Sequence, residues 1–208
     1  MPNQPPSNHI ANRYLNALGL TRGRVDLNFL ARLSQRHVAI LPFSSVGPLL
    51  GNELPLDSGS LFDRIAIKRR GGYCFEHNGL MYEVLRELGF TARFYLARVI
   101  YNQDIHPGLT HRITLVEING SQYAVDVGFG PLGPYLPVNM SGEISREKRR
   151  EFWIAEVETG VFHMQTRKDG KPYSLYKFEL NRYGHADCEV GHFYSHKHPK
   201  ASFTNHLV

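Results

Sequence analysis

The stretch RRGGYCFEHNG, residues 69–79, contains Cys74, one of two cysteines in a chain of 208 residues. Gly71 and Gly72 permit a sharp turn, and the apolar spacing that follows predicts a helix beginning near Cys74. Free N–H groups and the helix dipole at such a position stabilise a thiolate, the nucleophilic form of cysteine. A small buried hydrophobic residue would also fit here, because free cysteine is among the most buried residue types.

A nucleophilic thiol needs a base, usually histidine, and a third group that orients the base. Asn119-Gly120 predicts a two-residue hairpin turn. Counting back from that turn places Ile113 opposite Asp126, with His111 two positions before Ile113 on the same strand face. His111 and Asp126 are then diagonal neighbours with Cβ atoms on the order of 7 Å apart or less. An imidazole–carboxylate hydrogen bond is therefore expected between them.

The surroundings of Asp126 support this pairing. It lies in the apolar strand YAVDVGF, where a carboxylate is costly without a partner. A structural aspartate bonded to backbone N–H groups is the alternative. His77, three residues after Cys74, is a rival base, but its side chain would have to fold back against the direction in which helical side chains lean. The residues thus favour a triad of Cys74, His111 and Asp126.

The spacing of apolar residues changes near residue 90 from a helical period to the alternation of strands, so helices and strands position these residues from opposite sides of that point. Asn8 and Asp26 can cap two helices, residues 61–65 predict a third short helix, and a fourth runs from about Cys74 to Gly89. Residues 41–59 are predicted to be a loop because of their Pro, Gly and Ser content. Alternating patterns then predict strands, with a second hairpin turn at residues 169–170: TARFYLARVIY, RITLVEI, SQYAVDV, FWIAEV, VFHMQTR and YSLYKFEL.

The predicted fold class is therefore α+β. A helical bundle, residues 1–89, carries the nucleophile, and an antiparallel β-barrel, residues 90–208, carries the histidine and aspartate. Cys188, His192 and His196 recur at helical spacing, but CEVGHFYSHKHP contains Gly, aromatic residues and Pro, which are poor helix formers. We expect neither a helix nor a metal site there, since a fourth ligand is not evident.

Composition narrows the class of protein further. The chain is 42% hydrophobic and 21% charged with a formal net charge of +5. The positive charge mildly favours an acidic small-molecule partner, and a solvated basic surface explains it at least as well. Lys and Arg form no stripe interleaved with aromatic residues, so nucleic-acid binding is not expected. The sequence shows no signal peptide and no apolar run long enough to cross a membrane. Two cysteines make no disulfide framework, which favours a cytoplasmic location.

Three segments closely resemble the arylamine N-acetyltransferases: RRGGYCFEHNGL, THRITLVEINGSQYAVDVGFG and FEL…CEVGHFYSHKHPKASFTNHL. The resemblance implies a cytoplasmic enzyme with a cysteine-protease-like triad. Cys74 would accept the acetyl group, His111 would act as its base and Asp126 would orient the base. Acetyl-CoA would be the co-substrate, with no permanently bound cofactor, and the acceptor would be a small aromatic amine or hydrazine.

The resemblance also suggests where the substrates bind. The loop of residues 101–110 would lie along coenzyme A, with Gly108, Leu109 and Thr110 as contacts. Phe43 and Phe129 would line the acceptor pocket. Ser44-Ser45 follows Phe43 where family members often carry an acidic residue, which leaves Arg70 without its usual partner.

Family members usually continue into a third domain that covers the active site, and this chain ends at Val208. We therefore expect the covering domain to be absent and acetyl transfer to be impaired. Two alternatives remain open at this point: an amide synthase that uses another acyl donor, and a non-catalytic fragment or binding module.

Overall fold

The computed structural model describes residues 10–207, and the helices occupy both ends of that range. Five α-helices come before the sheet, with a π-helical segment, Phe62–Ile67, continuing directly from the fourth. Two more α-helices follow the sheet. The helices are α1 (Ile10–Leu18), α2 (Leu27–Ile40), α3 (Val46–Leu49), α4 (Ser58–Leu61), α5 (Cys74–Leu88), α6 (His185–Lys197) and α7 (Ser202–Asn205).

The ends of the two long N-terminal helices follow local sequence signals. Asp26 caps α2, and its side chain accepts a hydrogen bond from the Phe29 N–H at 2.8 Å. Helix α5 begins at Cys74 and ends before Gly89, whose φ of 97° is the left-handed conformation that glycine adopts easily. The two predicted boundaries are confirmed. The predicted cap at Asn8 lies outside the described residues.

The eight strands form one antiparallel sheet in the order β4-β3-β2-β1-β8-β7-β6-β5. The sheet curls until β4 approaches β6, giving a nearly closed barrel. The predicted α+β class with an antiparallel barrel is confirmed. The strands are β1 (Thr91–Val99), β2 (His111–Ile118), β3 (Ser121–Val125), β4 (Val138–Asn139), β5 (Ser145–Glu147), β6 (Arg150–Glu158), β7 (Val161–Lys168) and β8 (Lys171–Glu179).

The hairpin between β2 and β3 has the register that the turn residues predict. Asn119 and Gly120 have φ values of 51° and 79°, as a two-residue turn of this kind requires. Ile118 pairs with Ser121, and the ladder continues in step to its last pair, Thr114 with Val125. One more step along the same register places position 113 opposite position 126.

Alternate residues of β2 face two different cores. Val116 and Ile118 pack with the helices, in a cluster that includes buried residues of α1, α2 and α5. Ile113 and Leu115 pack inside the barrel. Helix α5 lies against β1 and β2, so the start of α5 and the start of β2 are held by one packing interface.

Two predictions about irregular segments are wrong. Residues 41–59 include α3 and the first residues of α4, so they are not all loop. The segment around CEVGHFYSHKHP forms α6, although its composition disfavours a helix. Its buried residues recur at helical spacing, and burial of that face outweighs the weak intrinsic preference: Cys188, Gly191, His192, Ser195 and His196.

Helices α6 and α7 pack against α3, so the end of the chain returns to its helical part. Among the described residues, no helix has the length and apolar character that a bilayer crossing requires.

Candidate active site

The thiol of Cys74 lies at the first residue of α5 and is 4% exposed. Its Sγ is 3.5 Å from the Thr110 carbonyl oxygen, to which the thiol donates. The turn before it requires glycine, because Gly71 has a φ of 73° and an added Cβ would stand 2.6 Å from the Pro42 carbonyl oxygen. The turn and the helix start thus bring the thiol against the residue that precedes β2.

His111 and Asp126 form the expected hydrogen bond. The Nε2 of His111 is 2.7 Å from the Oδ2 of Asp126, and both residues are almost fully buried. Burial alone would lower the pKa of His111, but the Asp126 carboxylate and the neighbouring Cys74 raise it to about 10. The imidazole therefore carries a proton near neutral pH. An imidazolium beside a cysteine is the arrangement that activates thiol nucleophiles in general.

The Asp126 carboxylate is kept ionised by its own partners. Burial would raise the pKa of Asp126, but the charge on His111 and hydrogen bonds from His111, Asn78 and the Gly128 N–H lower it below its ordinary value. The Asn78 Nδ2 donates to Asp126 Oδ1 at 2.8 Å, and the Gly128 N–H donates to the same oxygen at 3.1 Å.

Asn78 is a site residue that the sequence reasoning missed. Besides holding Asp126, its Nδ2 donates to the Arg112 carbonyl oxygen at 2.5 Å and its Oδ1 accepts from the Val127 N–H at 2.9 Å. One side chain of α5 is therefore bonded both to β2 and to the two residues that follow β3. Its position one turn after Cys74 was the available signal, since i and i+4 share a helix face.

Gly128 lets the hairpin approach the start of α5. A Cβ at this position would stand 2.9 Å from the Cys74 Cα and 2.9 Å from the Asn78 Nδ2. Any larger residue would therefore push Asp126 and Cys74 apart.

A cleft of about 220 Å³ opens over the Cys74 thiol. Aromatic rings surround the imidazole, with the centroids of Phe129 and Tyr176 at 5.1 Å and 4.8 Å from that of His111. The other wall comes from the end of the chain, in residues to which the sequence reasoning gave no role. That wall consists of Tyr194, Ser195, Lys200, Ala201, Ser202 and Phe203.

Of the five predicted substrate-binding residues, two line the cleft and three do not. Phe129 and Thr110 line the cleft, whereas Gly108 and Leu109 are not among its lining residues. Phe43 stands beside the wall, with its ring centroid 6.1 Å from that of Phe203. A Cβ at Gly108 would meet only the Thr110 side chain, at an ordinary 3.7 Å.

His77, the rival base, points away from the cleft into a buried chain of hydrogen bonds. The Nδ1 of His77 is 2.6 Å from the Nε2 of His37. The other ring nitrogen of His37, Nδ1, is 2.5 Å from the Tyr14 hydroxyl oxygen. The Nε2 of His77 is 3.1 Å from the Pro42 carbonyl oxygen and must donate to it. His77 is therefore engaged between α2 and the segment before Gly71.

Acidification is expected to weaken the fold through His77. Burial lowers its pKa from 6.5 to about 4, although hydrogen bonds to Pro42 and Gly72 act in the opposite direction. Between these two pH values the unfolded chain binds more protons at His77 than the folded chain does. The contribution of His77 to the free energy of unfolding is therefore complete above about pH 6.5 and is lost as the pH falls toward 4. At about 1.4 kcal/mol per pKa unit, the loss is on the order of 3 kcal/mol.

Urea unfolding over this pH range measures the effect, and His77→Gln is the informative variant. The variant should show a shallower fall in the free energy of unfolding than the parent. Equal slopes for the two proteins would contradict the assignment.

A second and larger cavity, of about 680 Å³, lies on the far side of the Gly71–Gly72 turn and does not include Cys74. Arg70 lines it. Glu76 forms a buried ion pair with Arg64, and its Oε2 accepts from the Tyr73 N–H at 3.0 Å. Burial nevertheless raises the pKa of Glu76 to about 7, against the opposing charge of Arg64. Glu76, the acidic residue that follows this turn, thus pairs with Arg64 rather than with Arg70.

Cys188, His192 and His196 do share a helix, and the rings of His192 and His196 stack with their centroids 4.0 Å apart. Cys188 is buried among apolar side chains, and His192 is bonded to Tyr73 and Leu54. Within residues 10–207, no group of three or more His, Cys, Asp or Glu side chains is placed to hold a metal ion.

A buried thiol at a helix start, an imidazole beside it and a carboxylate behind the imidazole define the cysteine-nucleophile class of site. A sequence model of the N-acetyltransferase family matches residues 26–208. The chain belongs to this family.

Individual relatives agree with that result. The arylamine N-acetyltransferase of Escherichia coli K12 is 34% identical over 185 residues, covering 88% of this chain. The solved arylamine N-acetyltransferase of Salmonella typhimurium matches 98% of this chain and 74% of its own, with a TM-score of 0.91 and 31% identity. The Mycobacterium marinum enzyme in complex with CoA matches 95% of this chain and 75% of its own, with a TM-score of 0.87 and 29% identity. This chain spans 66% of the length of the E. coli relative.

Proposed function

We propose that the chain transfers an acetyl group from acetyl-CoA to an arylamine or arylhydrazine through an acetyl-cysteine on Cys74. The observation that carries the proposal is the 2.7 Å bond between His111 and Asp126 beside a buried thiol at a helix start. The names of the relatives support the same activity.

In the first step, the Cys74 thiolate attacks the carbonyl carbon of the acetyl thioester. The new carbon–sulfur bond forms on Cys74 as the bond to coenzyme A breaks, and His111 supplies a proton to the departing thiolate. The exchange of one thioester for another is nearly balanced in free energy, so this step needs no large driving force.

In the second step, the acceptor nitrogen attacks the acetyl-cysteine. Its proton passes to His111, the carbon–nitrogen bond forms, and the bond to Cys74 breaks. Asp126 stabilises the imidazolium in both steps because its carboxylate is buried and fully hydrogen-bonded.

The cleft suits a small aromatic acceptor. Its volume of about 220 Å³ is below the range of drug-sized ligand pockets, and Phe129 and Phe203 line it. Aromatic rings pack favourably against an aryl group. The M. marinum enzyme was solved in complex with CoA, which supports coenzyme A as a ligand. We place coenzyme A along residues 101–110, where Tyr101 and Thr110 line the cleft.

A cytoplasmic location belongs to the same proposal. Cys74 and Cys188 are both free, as is usual in a reducing compartment.

Rapid mixing with acetyl-CoA tests the proposed function. Without amine, we expect a burst of about one equivalent of coenzyme A per chain, followed by steady release when an arylamine is added. A mass increase of one acetyl group on the Cys74 peptide should accompany the burst. Absence of the burst with acetyl-CoA but its presence with another acyl thioester would indicate an amide synthase, and its absence with every donor would indicate a binding module.

A further inference from the structure

Helix α6 contacts the residue immediately before the nucleophile through a buried hydrogen bond. The Tyr73 hydroxyl oxygen lies 2.5 Å from the Nδ1 of His192, and both residues are buried. Their rings are nearly parallel, with centroids 5.7 Å apart and 15° between the planes. The two residues are 119 positions apart in sequence, so only the tertiary fold joins them.

The direction of this bond follows from the other ring nitrogen. The Nε2 of His192 is 2.8 Å from the Leu54 carbonyl oxygen, and a carbonyl can only accept. Nε2 therefore carries the proton, and in the neutral ring Nδ1 accepts from the Tyr73 hydroxyl. Burial and the neighbouring His196 lower the pKa of His192 to about 4, which keeps the ring neutral in this role.

The preceding residue of α6, Gly191, contacts the other side of the nucleophile. A Cβ at Gly191 would lie 2.7 Å from the Cζ of Phe75 and 2.4 Å from the Leu109 carbonyl oxygen. Only glycine lets α6 come this close. Two successive residues of α6 thus contact Tyr73 and Phe75, which flank Cys74, and Leu109, which lies two positions before His111.

We propose that His192 is a positioning residue for Cys74, acting through Tyr73 to hold the thiol in line with His111. The effect expected on catalysis rests on the proposed function, whereas the effect on the position of the thiol does not. Tyr73 is the N-cap residue of α5, so a shift of its side chain changes where the first helical residue sits. Misplacement by about 1 Å is enough to cost on the order of 10²-fold in rate.

Tyr73→Phe is the sharpest test, because it removes one hydroxyl and keeps the ring. The matched control is Tyr14→Phe, which removes an equally short, equally buried bond from a tyrosine hydroxyl to a histidine Nδ1, at His37. Alkylation of Cys74 by iodoacetamide across the pH range is measured by peptide mass. The rate reports the thiolate fraction and requires no acetyl transfer.

We expect Tyr73→Phe to slow alkylation of Cys74 near neutral pH by about tenfold and to move its pH profile upward. Tyr14→Phe should lose a similar amount of thermal stability with less than a twofold change in alkylation. His192→Phe should slow alkylation at least as much as Tyr73→Phe, since it also removes the hydrogen bond to Leu54. The double variant should show no further loss beyond His192→Phe, because the bond that Tyr73→Phe removes is already absent.

Equal alkylation profiles for Tyr73→Phe and Tyr14→Phe would overturn the proposal and leave the bond a purely structural one. If His192→Phe does not fold, the comparison of Tyr73→Phe with Tyr14→Phe still tests the proposal. If the parent gives no coenzyme A burst but Tyr73→Phe still slows alkylation of Cys74 as expected, the acetyltransferase activity is rejected and the positioning role of His192 is retained.

Discussion

Replacing Cys74 by serine is expected to lower acetyl transfer by roughly 10⁴-fold or more, the scale seen when a covalent nucleophile is removed. A serine hydroxyl is not ionised near neutral pH. The imidazolium of His111 has no thiolate partner in this variant, and the neutral hydroxyl is a much weaker nucleophile than a thiolate. The measurements are the coenzyme A burst, the steady rate with an arylamine, and the mass of the acetylated peptide.

Cys188→Ser is the matched control. Cys188 is also buried and free, but it lies on α6 among apolar side chains, and burial raises the pKa of its thiol. This variant should keep the burst, with at most a loss of stability. A burst that survives in Cys74→Ser, or disappears in a folded Cys188→Ser protein, would show that Cys74 is not the acceptor of the acetyl group.

Replacing Asp126 by asparagine is expected to lower kcat/KM by roughly 10³-fold. The corresponding change in a serine triad costs about 10⁴-fold, and a thiol needs less assistance than a hydroxyl. An amide cannot stabilise the imidazolium. Its NH2 group would also face a donor in either orientation. In place of Oδ2 it would meet the Nε2–H of His111, and in place of Oδ1 it would meet the Asn78 Nδ2 and the Gly128 N–H. The pKa of His111 should fall, and the thiolate form of Cys74 should become less populated.

Steady-state kinetics and the alkylation profile of Cys74 measure this loss together. Asn78→Ser provides a graded comparison, since it removes the hydrogen bonds of the amide to Asp126, Arg112 and Val127 and keeps the carboxylate charge. It should reduce kcat/KM far less than Asp126→Asn. A folded Asp126→Asn protein within fivefold of the parent would assign Asp126 a structural role only.

Local sequence determined the relation of His111 to Asp126. A two-residue turn at Asn119-Gly120 sets the register of β2 against β3, and period-two alternation then decides which side chains share a face. The start of α5 at Cys74 is equally local, because the glycine turn before it and the apolar spacing after it lie within one short stretch. These features depend on neighbours a few positions away, so counting along the chain was sufficient.

Only the tertiary structure decided the rest of the site. Helix α6 has a composition that disfavours a helix, and its existence depends on burying one face against residues more than a hundred positions away, Leu54 and Tyr73 among them. The cleft wall at Phe203 and the three-way bonding of Asn78 likewise require segments that meet only after packing. Long-range contacts of this kind stabilise a segment against its own preference, and the partners that bury its face are not encoded in its local pattern.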